Sequence, residues 1–328
     1  MFSYQSDYIF NYRSDGVNLS KDQVIVYHYT SPEGFLGVLK DQKIRFTDIR
    51  YMNDRSEGIY FVKLLLDYIE KNKGAYPHAE DVVYSLLGEN NLEDIRNLNV
   101  SSVKYSVTMM RKPHPARAFL FCTCCDSDSL NMWNYYVKNG SYQGYNIGIK
   151  VESFLKEIDK NLPKSSNVSI YYGKVLYSKK EQQNEIENLL QTLETSLTRS
   201  SESSYMKNLA DWALKRYIDL YGVFYKHNKF AGEQEYRFVI EFDDDSNDIG
   251  KDLGILNADD CNIKENFCVR NGIITPFLEV PFANDTISRV YISPMTEFEI
   301  AKLSIRELID QKGYKQTRIY QSNIPIRY

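Results

Sequence analysis

The sequence predicts an α+β fold, and three observations carry that prediction. Short stretches of alternating apolar and polar residues recur near both ends of the chain, short helical segments separate them, and two longer, polar-rich helical stretches interrupt the series. The expected organisation is a single α+β domain over residues 1–328. Its core would run over residues 24–57, 118–177 and 226–321, with helical insertions at about 76–112 and 180–225.

The elements follow in order. Val24 to Thr30 (VIVYHYT) is β-branched and aromatic and leads into Ser31-Pro32-Glu33, where a hydroxyl cap and a proline at the first helical position open a short helix carrying Phe35, Leu36 and Leu39. Lys43 to Thr47 resumes extended alternation with Ile44 and Phe46 on one face, completing a β-α-β unit. Tyr51 to Asp54 forms a turn whose Asp can cap the next helix, where Ile59, Val62, Leu66 and Ile69 recur at helical spacing. Pro113-His114-Pro115 closes the first insertion with an extended break. Phe119 to Thr123 reads as a buried strand, Asp126 to Asp128 as a cap, and Leu130 to Val137 as a short helix.

Strands are expected at Tyr145 to Val151 and Val168 to Tyr177, then long helices at Lys180 to Thr198 and Ser203 to Tyr225. The last third returns to strands at Glu235 to Phe242, Ile273 to Val280, Ser288 to Ile292 and Arg318 to Gln321. Thr296-x-x-Glu299 reads as a capping box for a helix with Ile300, Leu303 and Leu308, stopped at Gly313. Glu241 to Asp260 holds eight acids and one Lys, the composition of a solvated loop.

Composition narrows the function. Forty Lys plus Arg against 44 Asp plus Glu leave a net charge of −4, so there is no general pull toward phosphate backbones, although a local nucleic-acid footprint survives that test. No apolar run approaches the ~20 residues that span a bilayer, and the amino terminus lacks a basic start; a cytoplasmic protein without a membrane partner is expected. The five cysteines lack zinc-type spacing and are expected to be reduced and mostly buried. Phosphate-cradling, Rossmann, nucleophile-elbow and zinc-helix motifs are all missing from the sequence, which disfavours the common nucleotide and hydrolase folds.

Four stretches place polar residues at the ends of strands. His28, between Tyr27 and Tyr29, is the histidine that a rigid element would hold; a core imidazole with satisfied nitrogens is the alternative. His78, His114 and His227 read as surface residues. Glu233 and Glu235 would share one face if the strand has begun at Glu233, and paired carboxylates suit chemistry that builds positive charge, as at a glycosidic bond. An Arg/Glu ladder with Arg237 on an edge strand would look the same. Asn53-Asp54 with Glu57 is explained by helix capping, and Trp133, behind Ser129, by core packing.

Taken in order, Tyr27-His28-Tyr29-Thr30, Ile44-x-Phe46-Thr47 with Asn53-Asp54-x-x-Glu57, Ser129-x-x-x-Trp133-x-x-Tyr136, Gly144-x-x-Ile147-Gly148 and Lys226-x-x-x-Phe230-x-x-Glu233-x-Glu235-Tyr236-Arg237 resemble the bacterial family called domain of unknown function 2971. The resemblance runs from Val26 to about Pro294, outside both insertions. That family is similar in turn to ADP-ribosyltransferase-fold toxins, which implies a split β-sheet core of that type and NAD as substrate. The resemblance then implies that His28 holds the ribose or nicotinamide end, and that Glu235 or Glu233 binds the 2′-hydroxyl and stabilises the ribosyl cation. Tyr27, Tyr29, Thr30, Thr47, Tyr51, Asn53, Asp54, Trp133 and Arg237 would line the cofactor. The ring under nicotinamide stays open between Tyr51, Trp133 and Tyr145.

The activity so implied is mono-ADP-ribosyl transfer, or NAD glycohydrolysis if water is the acceptor. The setting would be that of a toxin or phage-defence effector, with an acceptor that is nucleic acid or protein and an antitoxin or regulatory partner. Such chemistry needs no metal, because nicotinamide leaves once a carboxylate offsets the developing charge. Two other readings use the same residues: a non-catalytic nucleotide or nucleic-acid binding module, and a metal-dependent nuclease in which His28, Asp54, Glu233 and Glu235 converge on a divalent ion.

Overall fold

A computed structural model describes residues 6–17, 24–52, 57–87, 95, 117–137, 143–164, 168–199, 210–211, 214, 217–218, 220–242, 256, 261–270 and 272–325. The chain divides into two compact units. The first comprises Met1–Phe10, Met52–Pro115 and Lys174–Ala231, the second Asn11–Tyr51, Ala116–Gly173 and Gly232–Tyr328. The described strands are β1 (Ile9–Asn11), β2 (Ile25–Thr30), β3 (Lys43–Asp48), β4 (Arg117–Cys124), β5 (Tyr145–Lys150), β6 (Val168–Lys174), β7 (Glu235–Phe242), β8 (Lys264–Arg270), β9 (Ile273–Pro281), β10 (Ile287–Ile292) and β11 (Arg318–Gln321). The described helices are α1 (Tyr12–Asp15), α2 (Pro32–Asp41), α3 (Glu57–Lys71), α4 (Pro77–Leu87), α5 (Leu130–Tyr136), α6 (Val151–Asn161), α7 (Lys179–Arg199) and α8 (Phe298–Lys312).

The first unit is helical. In α3, Ile59, Val62, Leu66 and Ile69 are all buried, as their spacing requires. Phe61 on the same helix lies 4.6 Å from the Tyr225 ring and 5.5 Å from Tyr217. Helix α7 buries Ile186, Leu189, Leu190 and Leu193, and its Gln182 amide donates to the carbonyls of Leu176 (2.7 Å) and Lys226 (2.9 Å). His78 is exposed and pairs with Glu194 at 2.7 Å, while His227 packs edge-on against Tyr60. Of Ser203 to Tyr225, the described residues Ala210, Asp211, Leu214, Tyr217, Ile218, Leu220 and Tyr221 are helical. His114 and the break around it lie outside the described residues.

The second unit is a large, mostly antiparallel sheet with helices against it. Along one path the strands run β6-β7-β4-β2-β5-β10-β11, and β3, β9 and β8 leave that path at β4. The fork has a simple origin. Strand β7 occupies one edge of β4 over its whole length, from Arg117 opposite Phe242 to Cys124 opposite Glu235. The other edge is shared: β3 pairs at Leu120 and Phe119, and β2 at Cys124. Two arms therefore diverge, β2-β5-β10-β11 and β3-β9-β8.

Helix α2 starts as the sequence requires, with Ser31 Oγ accepting from the Gly34 amide (3.2 Å) and Pro32 in the first turn. Phe35 and Leu39 are buried, but Leu36 faces solvent. Three expectations need correction. The cap of α8 is Glu297, whose carboxylate accepts from the Ile300 amide at 2.7 Å, while Thr296 bonds to Ser293. The helix buries Ala301, Ile305 and Ile309 and leaves Ile300 and Leu303 exposed. Helix α6, which the strand series passes over, buries Val151, Phe154, Leu155 and Ile158. Among the cysteines, Cys124 is buried and the other four are half-exposed, and none is in a disulfide.

Candidate functional site

The register across three strands decides which residues meet. Tyr27 lies opposite Cys124, and Cys124 opposite Glu235, so the two stretches singled out in the sequence stand in one row, separated by a single strand. Side chains in one row of a sheet share a face, and that face recurs every second residue. One face accordingly collects Tyr27, Tyr29, Cys124, Glu235 and Arg237, with Thr47 joining from the β3 arm opposite Leu120. His28 and Thr30 have the opposite parity. Ring contacts agree: His28 lies 5.0 Å from Phe121, whereas Tyr29 lies 4.7 Å from Trp133 in the cluster of Tyr27, Cys124, Met132 and Val137.

The imidazole and the Glu235 carboxylate therefore lie on opposite faces of the sheet. His28 sits among aromatic rings, and burial drives its pKa down to about 4 despite a hydrogen bond to the Cys122 backbone that favours the charged form. It is a neutral imidazole at pH 7, half-buried beside Phe121 on the face away from Glu235. Thr30 faces the start of α2, its Oγ1 filling the space beside Gly34, and Tyr145 packs on Phe35 at 4.5 Å.

Glu235 and Arg237 are enclosed, at 3% and 1% exposure, and joined through Arg237 Nε (2.7 Å) and a terminal guanidinium nitrogen (2.6 Å) to Glu235 Oε2. Burying two such groups is tolerated only when they are paired with good geometry. Glu233 does not share its face. The strand starts only at Glu235, after a 3₁₀ turn over Asn228–Glu233 and Gln234 at φ 43°, so the alternation that would align the two carboxylates is interrupted. The Cys124 thiol, pushed up to about 12 by burial, offers no thiolate for nucleophilic work.

Trp133 and Tyr29 hold the loop between β4 and α5. The wholly buried Trp133 donates its indole N–H to Asp128 Oδ1 at 2.8 Å, and the same carboxylate accepts from Ser322 Oγ (2.6 Å) and the Asn323 amide (2.7 Å). Asp128 is thus a hub, and the α5 cap position falls to Ser129, which makes no side-chain capping bond. Tyr29 donates its hydroxyl to the Asp126 carbonyl (2.8 Å) and accepts from the Ser129 amide (2.9 Å). Neither ring is a stacking platform. Tyr51 stands at the end of a 3₁₀ turn after β3 with its ring 36% exposed and Arg50 above it at 5.8 Å. Asn53 and Asp54 lie outside the described residues.

Sequence reasoning missed a second feature on the Tyr27 face. Arg289 donates to Tyr27 Oη at 3.1 Å across β5, Tyr291 meets Tyr27 edge-on at 6.0 Å, and Tyr291 stacks on Tyr320 at 5.0 Å. Gly148 between them is what allows this, since a Cβ there would lie 2.9 Å from the Arg289 Cβ and 3.3 Å from the Tyr27 ring. The available signal was a repeated pattern, Arg289-Val290-Tyr291 and Arg318-Ile319-Tyr320. Among the described residues, no group of three His, Cys, Asp or Glu is arranged to hold a metal, and the parity of His28 against Glu235 separates two members of the nuclease set.

No helix among the described residues is long and apolar enough to cross a membrane. No curated protein matches the chain, and no solved structure matches it. Residues 132–238, which carry Trp133, Gly144, Gly148, Glu233, Glu235 and Arg237, match the family model described as protein of unknown function, DUF2971, so over this stretch the chain is similar to that family.

Proposed function

We propose that this chain binds NAD or a related nucleotide on the sheet face shared by β2, β4 and β7, as a protein of ADP-ribosyltransferase type in which Glu235, and not His28, meets the ribose. The observation that carries the reading is the row Tyr27–Cys124–Glu235, which brings both sequence stretches to one face. The fork of the sheet at β4 supports a split core of that type. In this reading Arg237 exchanges its carboxylate partner for a nucleotide diphosphate, and the released Glu235 carboxylate offsets the positive charge that develops as the nicotinamide–ribose bond breaks.

A second reading, a nucleotide sensor without turnover, is favoured by the enclosure of Glu235 in its ion pair. Nicotinamide release and NAD-dependent thermal stabilisation, measured together on the whole chain, separate the two. Release that is lost in Glu235→Gln and retained in His28→Gln supports the enzyme; stabilisation by NAD with no release supports the sensor. Neither signal at millimolar NAD would remove both readings. Loss of release in His28→Gln with unchanged thermal stability would overturn the assignment of roles.

A further inference from the structure

We infer that the same sheet face, where it continues onto β10 and β11, is a binding surface for single-stranded nucleic acid. Strands β10 and β11 are parallel and in a register that sets Arg289 beside Arg318 and Tyr291 beside Tyr320. The two Arg-aliphatic-Tyr triplets are therefore superimposed across the strands. Like charges abreast on a sheet cost stability, and folding alone gives no reason to keep two. Among the described residues neither arginine has a carboxylate partner, and the groups acting on Arg289 are the phenols of Tyr27, Tyr291 and Tyr320. The nearby acid, Asp128, is engaged by Trp133, Ser322 and Asn323. Two guanidinium groups with no acid between them are complementary to phosphate.

The aromatic half of the ladder selects the partner. Tyr291 and Tyr320 stack with an interplanar angle of 20°, both half-exposed, and β11 ends the strand path, so a base placed on the outer side of Tyr320 extends an existing stack. Bases on aromatic rings with phosphates on neighbouring arginines is the arrangement by which sheet surfaces hold single strands. Duplex DNA offers no unstacked base to such a ring. The chain's net charge of −4 confines the attraction to this patch.

The test is fluorescence anisotropy of a labelled 20-nucleotide single strand against the whole chain, in DNA and RNA forms, over a salt series and without NAD. That readout is separate from NAD binding, so either reading can fail without the other. The expected result is binding that weakens with salt, a drop of about tenfold for Tyr320→Ala but not for Tyr320→Phe, and a salt dependence shallower by about 0.7 for Arg318→Ala, as for one lost phosphate contact. An abasic strand should bind about tenfold less tightly. No binding at low salt, equal binding of the abasic strand, or equal affinity in Arg318→Ala and Tyr320→Ala would each overturn the proposal. Arg318 is exposed, so its variant is expected to fold.

Discussion

Arg237→Met is expected to destabilise the second unit by about 3–5 kcal/mol, the cost of leaving one member of a buried ion pair uncompensated. Glu235 would be left at 3% exposure without the Arg237 guanidinium that now bonds its Oε2. The double variant Glu235→Leu/Arg237→Met removes both charges and is expected to recover all but about 1 kcal/mol, because desolvation then costs nothing. Trp133 reports on this unit directly, being buried within it, and a Trp212→Phe background makes it the sole tryptophan. Urea unfolding followed by its fluorescence gives both numbers. A cost below about 1 kcal/mol for Arg237→Met would mean that the pair is solvated, and the nucleotide exchange proposed for Arg237 would lose its driving force.

The second large effect is the pH dependence set by His28. Its folded pKa of about 4 lies below the ordinary 6.5, so between those values the unfolded chain binds the proton more readily than the folded one. The contribution is fully present above pH 6.5 and is lost as the pH falls toward 4. Its full extent is on the order of 3 kcal/mol. In His28→Gln, which keeps an N–H donor but does not titrate, the midpoint of unfolding should change much less between pH 6.5 and 4 than in the wild type. The imidazole proton resonances should titrate near pH 4. A titration midpoint near 6.5 would place the ring in water, and the argument that it serves the core rather than a substrate would fail.

The local elements were legible where local chemistry decides them. Ser31 and Pro32 announce α2, Gly313 stops α8 at φ 83°, and the spacing of Ile59, Val62, Leu66 and Ile69 gives the buried stripe of α3. Helix α6 carries an equally clear pattern in Val151, Phe154, Leu155 and Ile158, but it follows β5 without a turn residue and its cap, Lys150, supplies no side-chain bond. Nothing in the sequence separates the two elements. In α8 the cap is Glu297 rather than Thr296, and the buried face is Ala301, Ile305 and Ile309 rather than Ile300, Leu303 and Leu308.

The candidate site was legible in part for a different reason. The two stretches named in the sequence do meet, across β4, yet which of their side chains meet depends on register, and a shift of one residue in any strand exchanges the faces. Register is fixed by pairing between segments far apart in the chain, Tyr27 with Cys124 and Cys124 with Glu235. His28 and Glu235 therefore looked like partners from their settings and are separated by parity. Glu233 is lost to Gln234, whose positive φ is invisible in composition. The ladder of Arg289, Tyr291, Arg318 and Tyr320 depends on parallel pairing of β10 and β11, which no local signal announces.

One measurement tests the central claim most directly: difference density in crystals of the whole chain soaked with NAD. Nucleotide binding on the β2-β4-β7 face requires the ribose against Glu235 and Tyr27, the diphosphate at Arg237, and the His28 ring untouched beneath its aromatic neighbours. A nucleotide bound on the opposite face beside His28, or one that leaves the Glu235–Arg237 pair closed, would contradict it.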